Sequence, residues 1–263
     1  MRENALLAAW REGRQTIGCW LSMGNAYSAE ALGQLGFDYV CIDLQHGLVD
    51  YQDLTYMLPA VSRGTSTPLV RVPWNEPYEI MKALDAGAYG VIVPMVNNAE
   101  DAARAVDACR YPPLGSRSFG PIRGALYGGR GYAAQANEQM ACIVMVETRE
   151  GLDKLEEIVT TPGVDGVYIG PADLALALGL PALGDTDVPE HVAEVTRILE
   201  VCHRHELPAG IHTSSLDYCQ KRLAAGFDFV TLGSDAGFMT RTAAQELAAA
   251  RGTAEQEREK TGY

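Results

Sequence analysis

The sequence predicts a (β/α)8 TIM barrel, and three observations predict it. The chain has 263 residues, close to the roughly 250 usual for that fold. Eight short runs rich in Val and Ile alternate with stretches of helical pattern. Their near-continuous hydrophobicity suits parallel strands buried on both faces. The alternative, a doubly wound open sheet, wants a phosphate-binding glycine turn after its first strand. Leu21-Ser22-Met23-Gly24-Asn25 is not such a turn, and no P-loop pattern occurs.

Taken in order, the first strand is Ile17–Ser22. The helix after it, Ala26–Leu35, starts near Ser28-Ala29-Glu30 and stops at Gly36. The second strand, Asp38–Asp43, precedes a helix at Tyr51–Ser62. The third, Pro68–Val72, precedes Pro77–Ala86, which stops at Gly87. The fourth, Gly90–Pro94, precedes Ala99–Ala108, opened near Asn97-Asn98. The fifth, Ala141–Glu147, precedes Glu150–Val159. The sixth, Asp165–Gly170, precedes Ala172–Leu178 and Pro189–Glu206. The seventh, Leu207–His212, precedes Ser214–Ala225, stopped by Gly226. The eighth, Asp228–Gly233, precedes a last helix at Ala236–Ala250. Leu35-Gly36-Phe37-Asp38, Ala86-Gly87-Ala88-Tyr89 and Ala225-Gly226-Phe227-Asp228 repeat one helix–glycine–strand joint. One connection is long: Arg110–Met140, with Pro112, Pro113 and many glycines, reads as a functional or disordered loop. Residues 1–250 are expected to form one barrel domain. Residues 251–263 read as a polar tail, frayed or paired with a partner chain.

Composition excludes several classes. Apolar residues are 47% and charged residues 21%, which suits a globular core rather than a disordered or fibrous chain. Lys and Arg number 21 against 34 Asp and Glu, a net charge of −13, which argues against nucleic acid or an anionic membrane as partner. No apolar run approaches a bilayer span, and Ala5–Trp10 is too short for a signal segment, so a cytoplasmic protein is expected. Six scattered cysteines, Cys19, Cys41, Cys109, Cys142, Cys202 and Cys219, read as reduced thiols; a disulfide framework is the alternative.

In a barrel, catalytic groups sit at the C-terminal ends of strands. Asp43 and His46 follow the second strand, and Arg71 lies in the third. Glu147 ends the fifth, Gly170-Pro171-Ala172-Asp173 follows the sixth, and His212 ends the seventh. Glu147 and Asp173 each close an otherwise apolar run. A shared Mg²⁺ or Mn²⁺ would relieve their desolvation; a rim salt bridge or helix N-cap is the other reading. Asp43 beside His46 suggests a carboxylate fixing an imidazole tautomer, against a solvated loop histidine. Arg71 inside an apolar strand needs an anion, from the protein or from a substrate. Backbone N–H groups of Gly170 and Ala172 can face a carboxylate, Pro171 having none to give. His191, His203 and His205 read as surface residues.

Together, Asp43-Leu44-Gln45-His46-Gly47, Val70-Arg71-Val72-Pro73-Trp74-Asn75, Val93-Pro94-Met95-Val96, Val146-Glu147-Thr148-Arg149 and Ile169-Gly170-Pro171-Ala172-Asp173-Leu174 resemble the HpcH/HpaI aldolase family. The resemblance runs from about Gly18 to Gly233 and includes the loop Tyr111–Arg117. It implies a barrel of the phosphoenolpyruvate/pyruvate type and a metal-dependent class II aldolase. Such an enzyme reversibly cleaves 4-hydroxy-2-oxo acids to pyruvate and an aldehyde through a metal-bound pyruvate enolate. By carry-over, Glu147 and Asp173 ligate a divalent ion (Mg²⁺, Mn²⁺ or Co²⁺). Gly170, Pro171 and Ala172 hold the pyruvate carboxylate, and Arg71 meets the enolate oxygen. His46, oriented by Asp43, is the acid–base group. The resemblance also implies a homohexamer, a trimer of dimers, with Asp85 reaching a neighbouring subunit's site.

Gln45 stands where many relatives carry glutamate, and Met145 where many carry glutamine, which touches the surroundings of the histidine and the metal rather than the reaction class. The aldehyde is expected to meet Trp20, His212 and the segment Ser116–Asn137, whose Arg117, Arg123 and Arg130 would suit an acidic aldehyde or be solvated cations. The competing reading is an oxaloacetate decarboxylase, or another carbon–carbon lyase using the same enolate. A non-catalytic barrel would have lost one of His46, Arg71, Glu147 and Asp173; all four are present.

Overall fold

Eight parallel strands close into a barrel in chain order in the computed structural model, which describes residues 1–252. They are β1 (Thr16–Leu21), β2 (Tyr39–Asp43), β3 (Thr67–Arg71), β4 (Gly90–Val93), β5 (Ala141–Met145), β6 (Gly166–Ile169), β7 (Ala209–His212) and β8 (Phe229–Ser234). Around them run α1 (Ala5–Arg11), α2 (Ala26–Gly33), α3 (Tyr51–Val61), α4 (Pro77–Asp85), α5 (Ala99–Cys109), α6 (Ile122–Gly128) and α7 (Tyr132–Gln139). Then come α8 (Arg149–Asp153), α9 (Leu155–Val159), α10 (Pro171–Ala177), α11 (Pro189–Arg204), α12 (Leu216–Ala224) and α13 (Asp235–Ala250).

Side chains alternate across each strand, so every second residue enters the barrel. Tyr39, Cys41, Leu69, Ile92, Ile143, Met145, Tyr168 and Phe229 form the inner cluster. Their neighbours Val40, Ile42, Val70, Val91, Val144 and Val167 pack outward against the helices. The same parity carries Asp43, Arg71, Glu147 and His212 to the inner side of the C-terminal rim.

Every expected strand is present, with ends shifted by a few residues. The three glycine joints hold: Gly36, Gly87 and Gly226 have φ of 91°, 106° and 102°, a region that L side chains rarely adopt. Three expectations need correction. Ala5–Trp10, read only as too short for a signal segment, belongs to α1. Asn4 caps that helix by accepting from Leu6 N and Leu7 N, and donates to the carbonyls of Tyr89 and Gln139. Leu6 and Leu7 join the inner cluster and Trp10 packs on Phe229 at 4.6 Å, so α1 closes the N-terminal end of the barrel. The connection 110–140 is no structureless loop: it carries α6 and α7, with Tyr132 buried on Tyr111. Glu150–Val159 breaks at Lys154 into α8 and α9. The expected polar tail lies outside the described residues from 253 on. All six cysteines are buried and free. No helix among the described residues is long and apolar enough to cross a membrane.

Candidate active site

At its C-terminal rim the barrel opens into a cavity of about 230 Å³. His46, Arg71, Gly170, Pro171, Ala172, Asp173 and His212 line it, together with Met145, Tyr168, Gly184 and Ser214. Loops after β2, β6 and β7 thus deliver groups far apart in sequence to one place.

Arg71 and Asp43 face each other across the β2–β3 pairing. Arg71 Nε donates to Asp43 Oδ1 at 2.8 Å and Nη2 to Oδ2 at 2.6 Å, a bidentate pair that leaves Nη1 for the cavity. Burial alone would raise Asp43, but the guanidinium and two backbone N–H groups outweigh it and hold the carboxyl below its ordinary range. Those N–H groups belong to Gln45 and His46, at 3.1 and 3.3 Å. This corrects the expected Asp43–His46 pairing. Asp43 shapes the backbone turn under His46 and fixes Arg71; among the described residues its carboxylate bonds to no imidazole. His46 itself stands exposed at the cavity wall.

Glu147 is 2% exposed, and Met95 N donates to its Oε1 at 2.9 Å. Met95 adopts φ 57°, a conformation uncommon outside glycine, and this aims its N–H at the carboxylate. Burial, reinforced by the negative charge of Asp173, pushes Glu147 up to about 7. At Gly170 a Cβ would fall on Glu147 Oε2, so only glycine lets the chain pass over that oxygen. Two carboxylates beside an open cavity fit a hard divalent cation, which keeps several water or substrate oxygens of its own. Among the described residues no third His, Cys, Asp or Glu joins them.

Behind the turn that starts α10, His191 Nε2 meets the Pro171 carbonyl at 2.9 Å. That oxygen only accepts, so Nε2 carries the proton. His191 is wholly buried, which corrects its expected place on the surface: α11 packs its N-terminal turn against α10 rather than facing water. His203 and His205 are outside, paired with Asp228 and Glu156.

His212 Nδ1 lies 3.2 Å from Tyr168 Oη. Burial, then the Arg71 charge, holds its imidazole down to about 4, so the ring is neutral. Trp20 is 3% exposed; it stacks on Tyr168 at 5.4 Å and sits under Arg71, behind the cavity wall rather than in it. Asp85 lies off the cavity, its Oδ1 held at 2.6 Å by Nη2 of the buried Arg117. Arg123 donates to Ala86 O and Ser62 Oγ, so neither arginine is directed at the cavity for an acidic aldehyde. Sequence reasoning gave Tyr168 and Ser214 no role, read His191 as a surface residue, and named Met95 only as part of a motif. The alternation of β6 would have found Tyr168, two residues before Gly170; nothing local marks Met95, whose backbone does the work.

The sequence pattern of HpcH/HpaI aldolase/citrate lyase matches residues 16–242. The chain is 43% identical to hydroxypyruvate/pyruvate aldolase of Rhizorhabdus wittichii, over 94% of this chain and 99% of that protein. It is 40% identical to 5-keto-4-deoxy-D-glucarate aldolase of Klebsiella pneumoniae, over 93% and 95%. An HpcH/HpaI aldolase/citrate lyase family protein of Burkholderia cenocepacia superposes with a TM-score of 0.89 at 36% identity, over 94% and 99%.

Proposed function

The chain belongs to the HpcH/HpaI aldolase/citrate lyase family and is a carbon–carbon lyase, and from that premise we propose a metal-dependent class II aldolase that reversibly cleaves 4-hydroxy-2-oxo acids to pyruvate and an aldehyde. The observation that carries this reading is the buried Glu147, raised in part by the negative charge of nearby Asp173, with Asp173 and Arg71 lining one cavity. The relatives' names, with pyruvate in one of them, support the substrate class. Glu147 and Asp173 would hold the divalent ion, Mg²⁺, Mn²⁺ or Co²⁺. Bound there, it supplies Lewis-acid polarisation of the 2-oxo acid.

The chain's own residues do the rest. N–H groups of Gly170 and Ala172 bind the carboxylate of the 2-oxo acid. Arg71 Nη1 faces the oxygen that gains negative charge as the C3–C4 bond breaks. In cleavage His46 takes the proton of the C4 hydroxyl, the bond electrons pass to the pyruvate half as its enolate, and the aldehyde leaves. A proton then returns to C3. We also expect a cytoplasmic homohexamer in which Asp85, held by Arg117, contributes to a neighbour's site.

The test is release of pyruvate from a 4-hydroxy-2-oxo acid, with oxaloacetate as the competing substrate and with metal removed and restored. Retro-aldol turnover that needs the metal supports the reading. Turnover of oxaloacetate alone would favour the decarboxylase.

A further inference from the structure

A line of hydroxyl groups runs up the inside of the barrel, and the aldol chemistry above makes no use of it. Tyr39 Oη lies 3.1 Å from Thr231 Oγ1. Thr231 Oγ1 lies 2.6 Å from Tyr168 Oη, and Tyr168 Oη 3.2 Å from His212 Nδ1. Tyr39 and Thr231 are wholly buried and Tyr168 is 1% exposed, so each of the three O–H groups needs an acceptor inside the protein.

The direction of donation follows from counting protons. If Tyr39 donates to Thr231, Thr231 to Tyr168 and Tyr168 to His212 Nδ1, every hydroxyl proton has an acceptor. If the line runs the other way, starting from a proton on Nδ1, the Tyr39 proton is left over, and among the described residues no other acceptor meets it. If both tyrosines donate into Thr231, the threonine proton is left over. An orphaned buried donor is costly, so the first arrangement is the stable one. It makes Nδ1 an acceptor and leaves the single ring proton on Nε2. The ring meets Trp20 edge-on, centroids 5.1 Å apart at 86°, which holds its plane.

In the aldolase reading, on which this rests, pyruvate occupies the walls made by Asp173, the Gly170–Ala172 turn and Arg71. The wall on β7, with His212 and Ser214, is left for the aldehyde. We infer that His212 is a specificity-determining residue that presents a fixed, uncharged Nε2–H donor to the aldehyde half of the substrate, selecting short aldehydes with an oxygen acceptor, such as 2-hydroxyaldehydes, over their alkyl isosteres.

The test pairs glycolaldehyde with propanal, each condensed with pyruvate in the metal-loaded enzyme. The two differ in intrinsic reactivity, so the quantity read is the change in their kcat/KM ratio between variants. His212→Leu lowers the preference for glycolaldehyde about ten- to a hundred-fold, while the KM for pyruvate stays put. His212→Gln, whose amide reaches a similar position, keeps most of the preference. Independently, ¹⁵N spectra of the ring at pH 7, assigned by difference with His212→Gln, show protonated Nε2 and bare Nδ1; Tyr168→Phe releases that constraint and populates the second tautomer. An Nδ1–H or doubly protonated ring in an active enzyme overturns the inference alone, as does an undiminished preference in His212→Leu. A wild type that condenses pyruvate with neither aldehyde, its Nε2–H spectrum intact, overturns the aldolase reading and the substrate assignment with it.

Discussion

Glu147 and Asp43 are both buried acids, and their partners set them apart. Asp43 meets a guanidinium at 2.6 Å and is held below the usual carboxylate range; Glu147 meets one backbone N–H and is pushed up to about 7. The contribution of the Asp43–Arg71 pair is therefore fully present above about pH 4 and lost as pH falls through the lowered value of Asp43. Asp43→Asn should cost about 2–4 kcal/mol at pH 7, since it leaves Arg71 without its charge partner. Urea midpoints of wild type and variant should stay apart above about pH 4 and converge as pH falls below it; a gap that widens on acidification contradicts the pairing. His46→Ala should cut aldol turnover roughly 10²–10⁴-fold. Its metal-induced rise in Tm should match wild type, and near-normal turnover from pH 6 to 9 would move the acid–base role elsewhere. The residue types of this rim were legible in the sequence, because a charge closing an apolar run needs a partner. Which partner was not: that Asp43 bonds to Arg71 rather than to an imidazole depends on β2–β3 register, which spacing along the chain does not contain.

At the scale of elements, strands and glycine joints were readable because parallel strands leave near-continuous apolar runs and a left-handed joint wants glycine. The helix α1 was not, since seven residues of ALLAAWR carry no period that distinguishes a helix from any short apolar stretch. It exists because the barrel floor needs filling and Asn4 ties it to β4 and α7. Asn4→Ala removes the cap and the side-chain donor to the Gln139 carbonyl, and leaves the Tyr89 carbonyl only its bond from Ala141 N. The expected cost is about 2–3 kcal/mol, a fall in Tm of roughly 5–10 °C, with kcat of the folded enzyme unchanged. A fall in kcat at a temperature where the variant is fully folded would mean that the floor of the barrel reaches the chemistry. Helices α6 and α7 were hidden by the glycines and prolines of the segment around them, which read as loop. What holds them is tertiary: Arg117 lies between Asp85, Tyr111 and Tyr132, and Arg123 reaches back to Ala86.

For the whole molecule, much of α13 is exposed, Met239 by 56% and Leu247 by 50%. A helix with exposed apolar residues suits burial against another copy. If Asp85 also serves a neighbouring site, assembly and turnover are coupled. Light scattering beside activity should then show a chain truncated before Ala236 losing mass and turnover together. Asp85→Ala should lose turnover with its assembly kept. A fully active monomer at micromolar concentration would end the shared-site proposal and leave the rim chemistry as it stands.

On the proposed function, this rim turns pyruvate into its enolate with the help of a cation that Glu147 and Asp173 would hold. Exchange of the pyruvate methyl protons in D₂O, followed by proton NMR with Mg²⁺ and no aldehyde present, reads that step directly and apart from any question of the second substrate. The methyl signal should fade with wild-type enzyme, stop fading on chelation, resume when Mg²⁺ is restored, and persist unchanged with Glu147→Gln. Exchange that survives chelation, or that Glu147→Gln carries out at the wild-type rate, would rule out a cation on Glu147 as the source of the enolate.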